Sequence, residues 1–89
     1  MDTPSEISPQ EAWPLLHHPA FVWIDVREDA EWNYGHLDGI QHMPMSSLTE
    51  QSFSRFPKTQ KMIIICRSGN RSRSITEALR ELGYVHAQN

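Results

Sequence analysis

The sequence reads as an α/β protein with a mainly parallel central sheet, on three grounds. Met62-Ile63-Ile64-Ile65 is a short unbroken apolar run, the composition of a strand buried on both faces of a parallel sheet. Phe21-Val22-Trp23-Ile24-Asp25-Val26 is a second apolar, β-branched run with strand propensity. Ile75, Ala78, Leu79 and Leu82 recur at i, i+3, i+4 and i+7, the apolar stripe of one helix face, and Gly83 follows where a left-handed residue ends a helix. Strand and helix patterns alternate along the chain, as in βαβ units.

The 89 residues suffice for one small domain, 1–89, and not for two. The chain is 38% apolar and 21% charged, ordinary for a globular protein, and its net charge of −3 argues against a nucleic-acid groove. Arg67, Arg71 and Arg73 form its one basic cluster, which reads as the rim of an anion loop and the start of a solvated helix. No apolar stretch approaches the roughly 20 residues of a membrane span. Met1-Asp2-Thr3-Pro4 lacks the basic and apolar regions of a secretory signal. With a single cysteine there is no internal disulfide, and a reducing cytoplasm is the expected setting.

Near the start, Ser8 is an N-cap, Pro9 fits the first helical position and Glu11 completes a capping box. Pro14 then shortens that helix. His17 and His18 are adjacent and share no helix face, so a solvated helix end suits them better than a metal pair. Asp29 to Gly35 gives one or two helical turns with Gly35 as the stop, and Trp32 is expected in the core. Arg27 and Glu31 are expected to pair across the short turn. His36 to Pro44 should form a turn and a short strand. Ser47 with Glu50 offers another cap, and Phe53 and Phe56 a weak apolar face before Pro57. Tyr84 to Asn89 is expected to hold the last strand.

The chemistry concentrates in Cys66-Arg67-Ser68-Gly69-Asn70-Arg71-Ser72. This places the only cysteine at the carboxyl end of a buried strand and just before a helix, where open α/β sheets bind ligands. Ser72 is read as the cap of that helix. A free thiol titrates near ~8.5 and acts as the thiolate. The helix N-terminus and the charges of Arg67 and Arg71 should both lower that value. Ser68, Gly69 and Asn70 are small and tolerate unusual backbone angles, so successive N–H groups can turn inward as a nest for an anion. The alternative is a buried, inert cysteine, the commoner fate of a lone one. Two arginines flanking a Gly-Asn turn weigh against it.

This loop resembles the active-site loop of rhodanese-family sulfurtransferases of the small single-domain kind. A second block agrees in order: Ile24-Asp25-Val26-Arg27, Glu31-Trp32, Gly35-His36-Leu37, Gly39 and Pro44. The resemblance runs from about Ser8 to Asn89. It departs from the family at Asp38, where proline is usual, and at His42, where asparagine is common. It implies a three-layer rhodanese-like fold with helices on both faces of the sheet. Family members usually continue with a Gly-Gly turn and a tryptophan-bearing helix. The sequence has neither, so a fragment of a longer protein is expected; were the helix truly missing, one sheet face would be partly exposed.

By resemblance Cys66 is the nucleophile, and Arg67, Ser68, Gly69, Asn70, Arg71 and Ser72 bind a small anionic sulfur donor such as thiosulfate. Asp25, Arg27 and His36 are supporting residues. Asp25 is expected to tie down backbone N–H groups at its strand end, and His36 to bond backbone rather than act as a base. Cys66 would carry a persulfide held by the N–H groups from Arg67 to Ser72. The acceptor would be cyanide or an external thiol, with thioredoxin and glutathione as candidates, since no second cysteine can resolve the persulfide. No metal or organic cofactor is implied. Two other functions compete. One is a small-anion phosphatase or arsenate reductase of the same fold, which would need five residues between cysteine and arginine; here there are four, and Ser72 stands where its arginine would be. The other is a non-catalytic or sulfur-carrier module of a larger protein.

Overall fold

The computed structural model describes residues 3–89. Four parallel strands lie in the order β2-β1-β3-β4, with β1 at Phe21–Asp25, β2 at Gln41–His42, β3 at Lys61–Ile65 and β4 at Ala87–Gln88. Pairing is in full register between β1 and β3, from Phe21 opposite Lys61 to Asp25 opposite Ile65. Both expected strands are therefore present and adjacent at the centre of the sheet. The last strand forms too, though only Ala87 and Gln88 of the expected stretch join the ladder.

Strand periodicity sends alternate side chains to opposite faces. Ile24, Met62 and Ile64 face one way and pack with Phe53, Leu79 and Tyr84. Trp23 and Ile63 face the other way and pack with Ala12. The two clusters account for helices on both faces, as the sequence predicts. At roughly 1.5–3 kcal/mol for each fully buried large apolar side chain, the Ile24, Met62, Ile63 and Ile64 quartet contributes a large share of the cohesion.

On the second face lie α1, Pro9–Ala12, and the 3-10 turn Trp13–Leu15 that Pro14 imposes. The Ser8–Glu11 capping box is formed as expected. This face is partly uncovered. An apolar depression of about 250 Å³ opens between Trp13, Trp23, Leu37, Ile63 and Ile65.

The first face carries α3, Asn70–Glu81, and two 3-10 turns, Met45–Ser47 and Glu50–Phe53. The cap of the second turn is Thr49 with Ser52, not Ser47 with Glu50, because Ser47 is already used as the end of the preceding turn. The buried positions of α3 are Ser72, Thr76 and Leu79, whereas Ala78 is exposed and Ile75 and Leu82 are half-buried. The apolar stripe is thus offset from the helix face buried deepest. It lines a groove against Leu48 and Phe53 of the 3-10 turns.

The end of α3 is a Schellman motif. Gly83 N–H donates to Arg80 O at 3.0 Å and Tyr84 N–H to Leu79 O at 3.0 Å. Gly83 has φ 101°, and Tyr84 packs in the same cluster as Leu79. The Tyr84 hydroxyl donates to Phe53 O at 2.7 Å, which ties the helix exit to the 3-10 turn. A Cβ at Gly83 would meet only the flexible side chain of Lys58 at 3.6 Å, so a substitution there suffers from backbone angle alone. Gly83→Ala should therefore lose about 1 kcal/mol of stability with an unchanged urea m-value. A loss below a few tenths would show that the turn relaxes without a left-handed residue.

Candidate active site

Two strand ends define the site. Asp25 closes β1 and Ile65 closes β3, directly opposite each other, and Val26 N–H donates to Ile65 O at 3.1 Å. The chain leaving β1 and the chain leaving β3 therefore start side by side at the carboxyl edge of the sheet. The first builds α2, Asp29–Tyr34, and the second builds the Cys66 loop.

The loop wraps its own sulfur. Gly69 N–H donates to Cys66 Sγ at 3.1 Å and Ser72 N–H at 3.3 Å. Gly69 reaches this position with φ 87° and ψ −15°, a left-handed angle that favours glycine. That geometry corrects the sequence expectation for the helix start. Gly69 is the N-cap and α3 begins at Asn70, so Ser72 lies within the first turn and does not cap it. Its hydroxyl sits 3.4 Å from Sγ and 3.1 Å from Gly69 O. One hydroxyl hydrogen can serve either acceptor. With the thiol protonated, S–H can donate to Ser72 Oγ while the hydroxyl donates to Gly69 O; with the thiolate, the hydroxyl can turn to sulfur.

Partial burial pushes the Cys66 thiol up, but the Ser72 hydroxyl and the N–H groups of Ser72, Gly69 and Arg71 outweigh it, so the thiol lies below its ordinary value. The expected inward set from Arg67 to Ser72 is thus reduced to these three backbone donors. Asn70 N–H is directed at Ser68 Oγ instead, at 3.5 Å, and the side chains of Arg67, Ser68 and Asn70 are exposed on the rim.

Arg71 does not face the sulfur as a free charge. Its guanidinium is forked by Glu31 of α2, Nη1 to Oε1 at 2.6 Å and Nη2 to Oε2 at 2.9 Å. This bidentate pair holds the Glu31 carboxyl down to about 2 and raises Arg71 above its usual value. The expected Arg27–Glu31 ion pair is corrected accordingly: Arg27 reaches only the backbone carbonyl of Glu31, at 3.4 Å. Its charge goes to Asp25, with Nε 2.9 Å from Oδ2, and Nη2 donates to Gly35 O at 2.8 Å. Asp25 is 1% exposed and also accepts Arg27 N–H at 2.9 Å, the expected backbone tie. Asp25 and Arg27 thus hold α2 through the carbonyls of Glu31 and Gly35, and α2 holds Arg71.

His36 bonds backbone as expected, Nδ1 donating to Trp32 O at 2.8 Å. Trp32 is not a core residue; it is half-buried and lies between His36 and His42, with ring centroids 3.6 and 4.4 Å away and the planes nearly parallel. His42 Nε2 also donates to Arg27 O at 2.7 Å. The sequence reading missed Glu31, His42 and the sulfur contact of the Ser72 hydroxyl. His42 had a signal, its departure from the asparagine common at that position. Among the described residues no cluster of metal-ligating side chains occurs.

An open parallel sheet with a cysteine-bearing, N–H-lined loop between a strand end and a helix start defines a class of anion-handling α/β domains. The family profile of the rhodanese-like domain matches residues 8–89, and the chain belongs to that family. It is 34% identical over 84 residues to the thiosulfate sulfurtransferase GlpE of Actinobacillus succinogenes, spanning 90% of this chain and 71% of that one. It is 31% identical over 68 residues to the thiosulfate sulfurtransferase PspE of Escherichia coli, spanning 75% of this chain and 65% of that one. Among solved structures, a rhodanese-related protein of Thermoplasma volcanium superposes with a TM-score of 0.79 at 27% identity, covering 96% of this chain and 82% of that one. A human single-domain sulfurtransferase shares the fold with a TM-score of 0.81 at 23% identity, covering 98% and 88%.

Two measurements probe the electrostatics. Ser72→Ala should move the pH midpoint of Cys66 alkylation upward, because a donor to the thiolate is lost. An unmoved midpoint would assign the hydroxyl to Gly69 O alone. For Glu31, a folded value below the unfolded one means its contribution to stability is present above about 4.5 and is lost as pH falls through about 2. Melting temperature should therefore fall less steeply between these pH values in Glu31→Gln than in the parent, and parallel profiles would refute the pair's role.

Proposed function

We propose that the chain is a thiosulfate sulfurtransferase that works through a Cys66 persulfide. The observation that carries this reading is the ring of donors around Sγ: two backbone N–H groups within 3.3 Å and a hydroxyl at 3.4 Å. Such donors stabilise an anion on sulfur before and after it gains a second sulfur. The Cys66 thiolate attacks the outer sulfur of thiosulfate, the S–S bond breaks, and sulfite leaves with the bonding pair. An external thiol or cyanide then removes the outer sulfur and restores the thiolate. The thiosulfate sulfurtransferases among its relatives support the same reaction.

The donor's charge meets Arg67 first. Arg67 is exposed and has no ion pair among the described residues, whereas Arg71 is committed to Glu31. Arg71 then acts on the donor through the loop it anchors. His36 is a neighbour of the site and not its base. The phosphatase reading is weakened further, since Ser72 stands in the place of its arginine and Arg71, one position earlier, is turned to α2. No helix among the described residues is long and apolar enough to cross a membrane. A chemistry that needs its lone thiol reduced belongs in a reducing compartment such as the cytoplasm.

Intact mass after brief exposure to thiosulfate tests the reaction. The expected result is a gain of one sulfur atom on Cys66, lost on addition of cyanide, and none in Cys66→Ser, which should also lose turnover entirely. Turnover surviving in Cys66→Ser would overturn the mechanism.

A further inference from the structure

The apolar stripe of α3 serves neither the sheet nor the sulfur. The positions of α3 buried deepest include Ser72 and Thr76, and the Thr76 hydroxyl has no hydrogen-bond partner among the described residues. Burying an unpaired hydroxyl costs stability. Meanwhile Ile75 and Leu82 are left half-buried and Ala78 exposed. With Leu48 beside them, and Phe53 and Leu79 at the floor, they line an apolar groove of about 310 Å³. From Ile75 to Leu82 the α3 wall runs two turns, roughly 10 Å. Over that length a helical segment presents side chains at i, i+3 or i+4, and i+7 to an apolar groove.

The charges left open beside the groove are acidic. Glu50 lines its 3-10 wall, and Glu81 stands on α3 three residues beyond Ala78. Both are exposed, and neither has an ion pair among the described residues. The neighbouring cations are committed within the fold. Arg71 is forked by Glu31, Lys58 Nζ donates to Leu82 O at 2.6 Å and lies over the Tyr84 ring, and Arg55 lies over Phe56. Such a rim disfavours a nucleic acid or an anionic lipid surface. A second copy of the chain also fits poorly. Its α1 and α2 carry Glu11, Asp29 and Glu31 and no lysine or arginine, and its α3 is itself the wall.

We propose that this groove is a docking site for a partner protein, and that it takes a short amphipathic helix with lysines or arginines flanking its apolar face. The apolar face fills the groove over Phe53 and Leu79, and the flanking cations meet Glu50 and Glu81. The groove begins one turn beyond Ser72 and Cys66 is not among its walls, so a docked partner leaves the sulfur open. The inference does not depend on the sulfur chemistry.

The test is selection of a displayed library of short helical peptides on the full chain, with counterselection on Ala78→Arg. Ala78 is exposed, so that variant should fold with an unchanged melting temperature. Enriched peptides should carry apolar residues at i, i+3 or i+4, and i+7, with Lys or Arg at the flanks. An enriched peptide bearing a fluorophore should bind the parent chain saturably. Ala78→Arg should weaken that binding about tenfold, the scale of one central interface residue. Glu50→Lys combined with Glu81→Lys should weaken it several-fold at low salt and little at high salt. No enrichment over the Ala78→Arg variant would overturn the site, as would enriched peptides with neutral or acidic flanks. A concentration-dependent dimer abolished by Ala78→Arg would overturn it too, assigning the groove to a second copy.

Discussion

The register of β1 on β3 is the constraint from which the site follows. Asp25 and Ile65 are opposite each other in a parallel pair, so both chains leave the sheet at the same edge, one strand spacing apart. One exit carries the acid that organises α2, and the other carries the Cys66 loop. A slip of one residue would exchange the faces of Ile24 and Ile64 with those of Trp23 and Ile63 and put large side chains where the other layer has no room. The two apolar clusters therefore fix the register, and the register fixes how far Glu31 is from Arg71.

From that edge the interactions run in series. Asp25 is almost wholly buried and tolerable there because Arg27 and a backbone N–H satisfy it. Arg27 in turn donates to carbonyls of α2 at Glu31 and Gly35, so the helix is located by a buried charge and not by a hydrophobic face. Among the α2 residues none is buried, which makes this polar anchoring necessary. The His36-Trp32-His42 stack supplies the remaining contact, and His42 closes it by donating to Arg27 O. Glu31 then reaches across to Arg71 and steadies the first turn of α3, the turn whose N–H groups hold the sulfur. The thiolate is thus stabilised by short-range dipoles, while the charge of Arg71 is paired with Glu31.

What the sequence makes legible is local. The Ser8 capping box, the Pro14 break, the β-branched runs, the Gly83 turn and the Cys66 loop are each decided by residues within a few positions, and the structure has all of them. The α3 start illustrates the limit of such reading. A serine is the better N-cap by side chain, but the loop has to turn back on its sulfur, and only Gly69 has the φ for that turn. The offset stripe of α3 arises because the helix lies in a corner between the sheet and the 3-10 turns, so Ile75 and Leu82 cover Leu48 and Phe53 while Ser72 and Thr76 are buried deeper. Glu31 and Arg71 are separated by 40 residues, and no periodicity links them. Glu31 had a nearer cation in Arg27, and only the burial of Asp25 shows why Arg27 was not free to take it.

The same competition for partners determines how the site can handle anions. Among its arginines, Arg27 and Arg71 each meet a carboxylate inside the fold, and both carboxylates come from the β1–α2 segment. Those pairs give shape. Arg67 has no such partner among the described residues and lines the depression into which Cys66 opens. An anion approaching Cys66 therefore meets the exposed charges of Arg67 and Arg73 at the rim and a set of neutral donors at the bottom. Neutral donors around sulfur stabilise a thiolate without placing a full positive charge in the bowl. Glu31 keeps the Arg71 guanidinium on α2, so the loop meets an anion with backbone dipoles and not with that arginine.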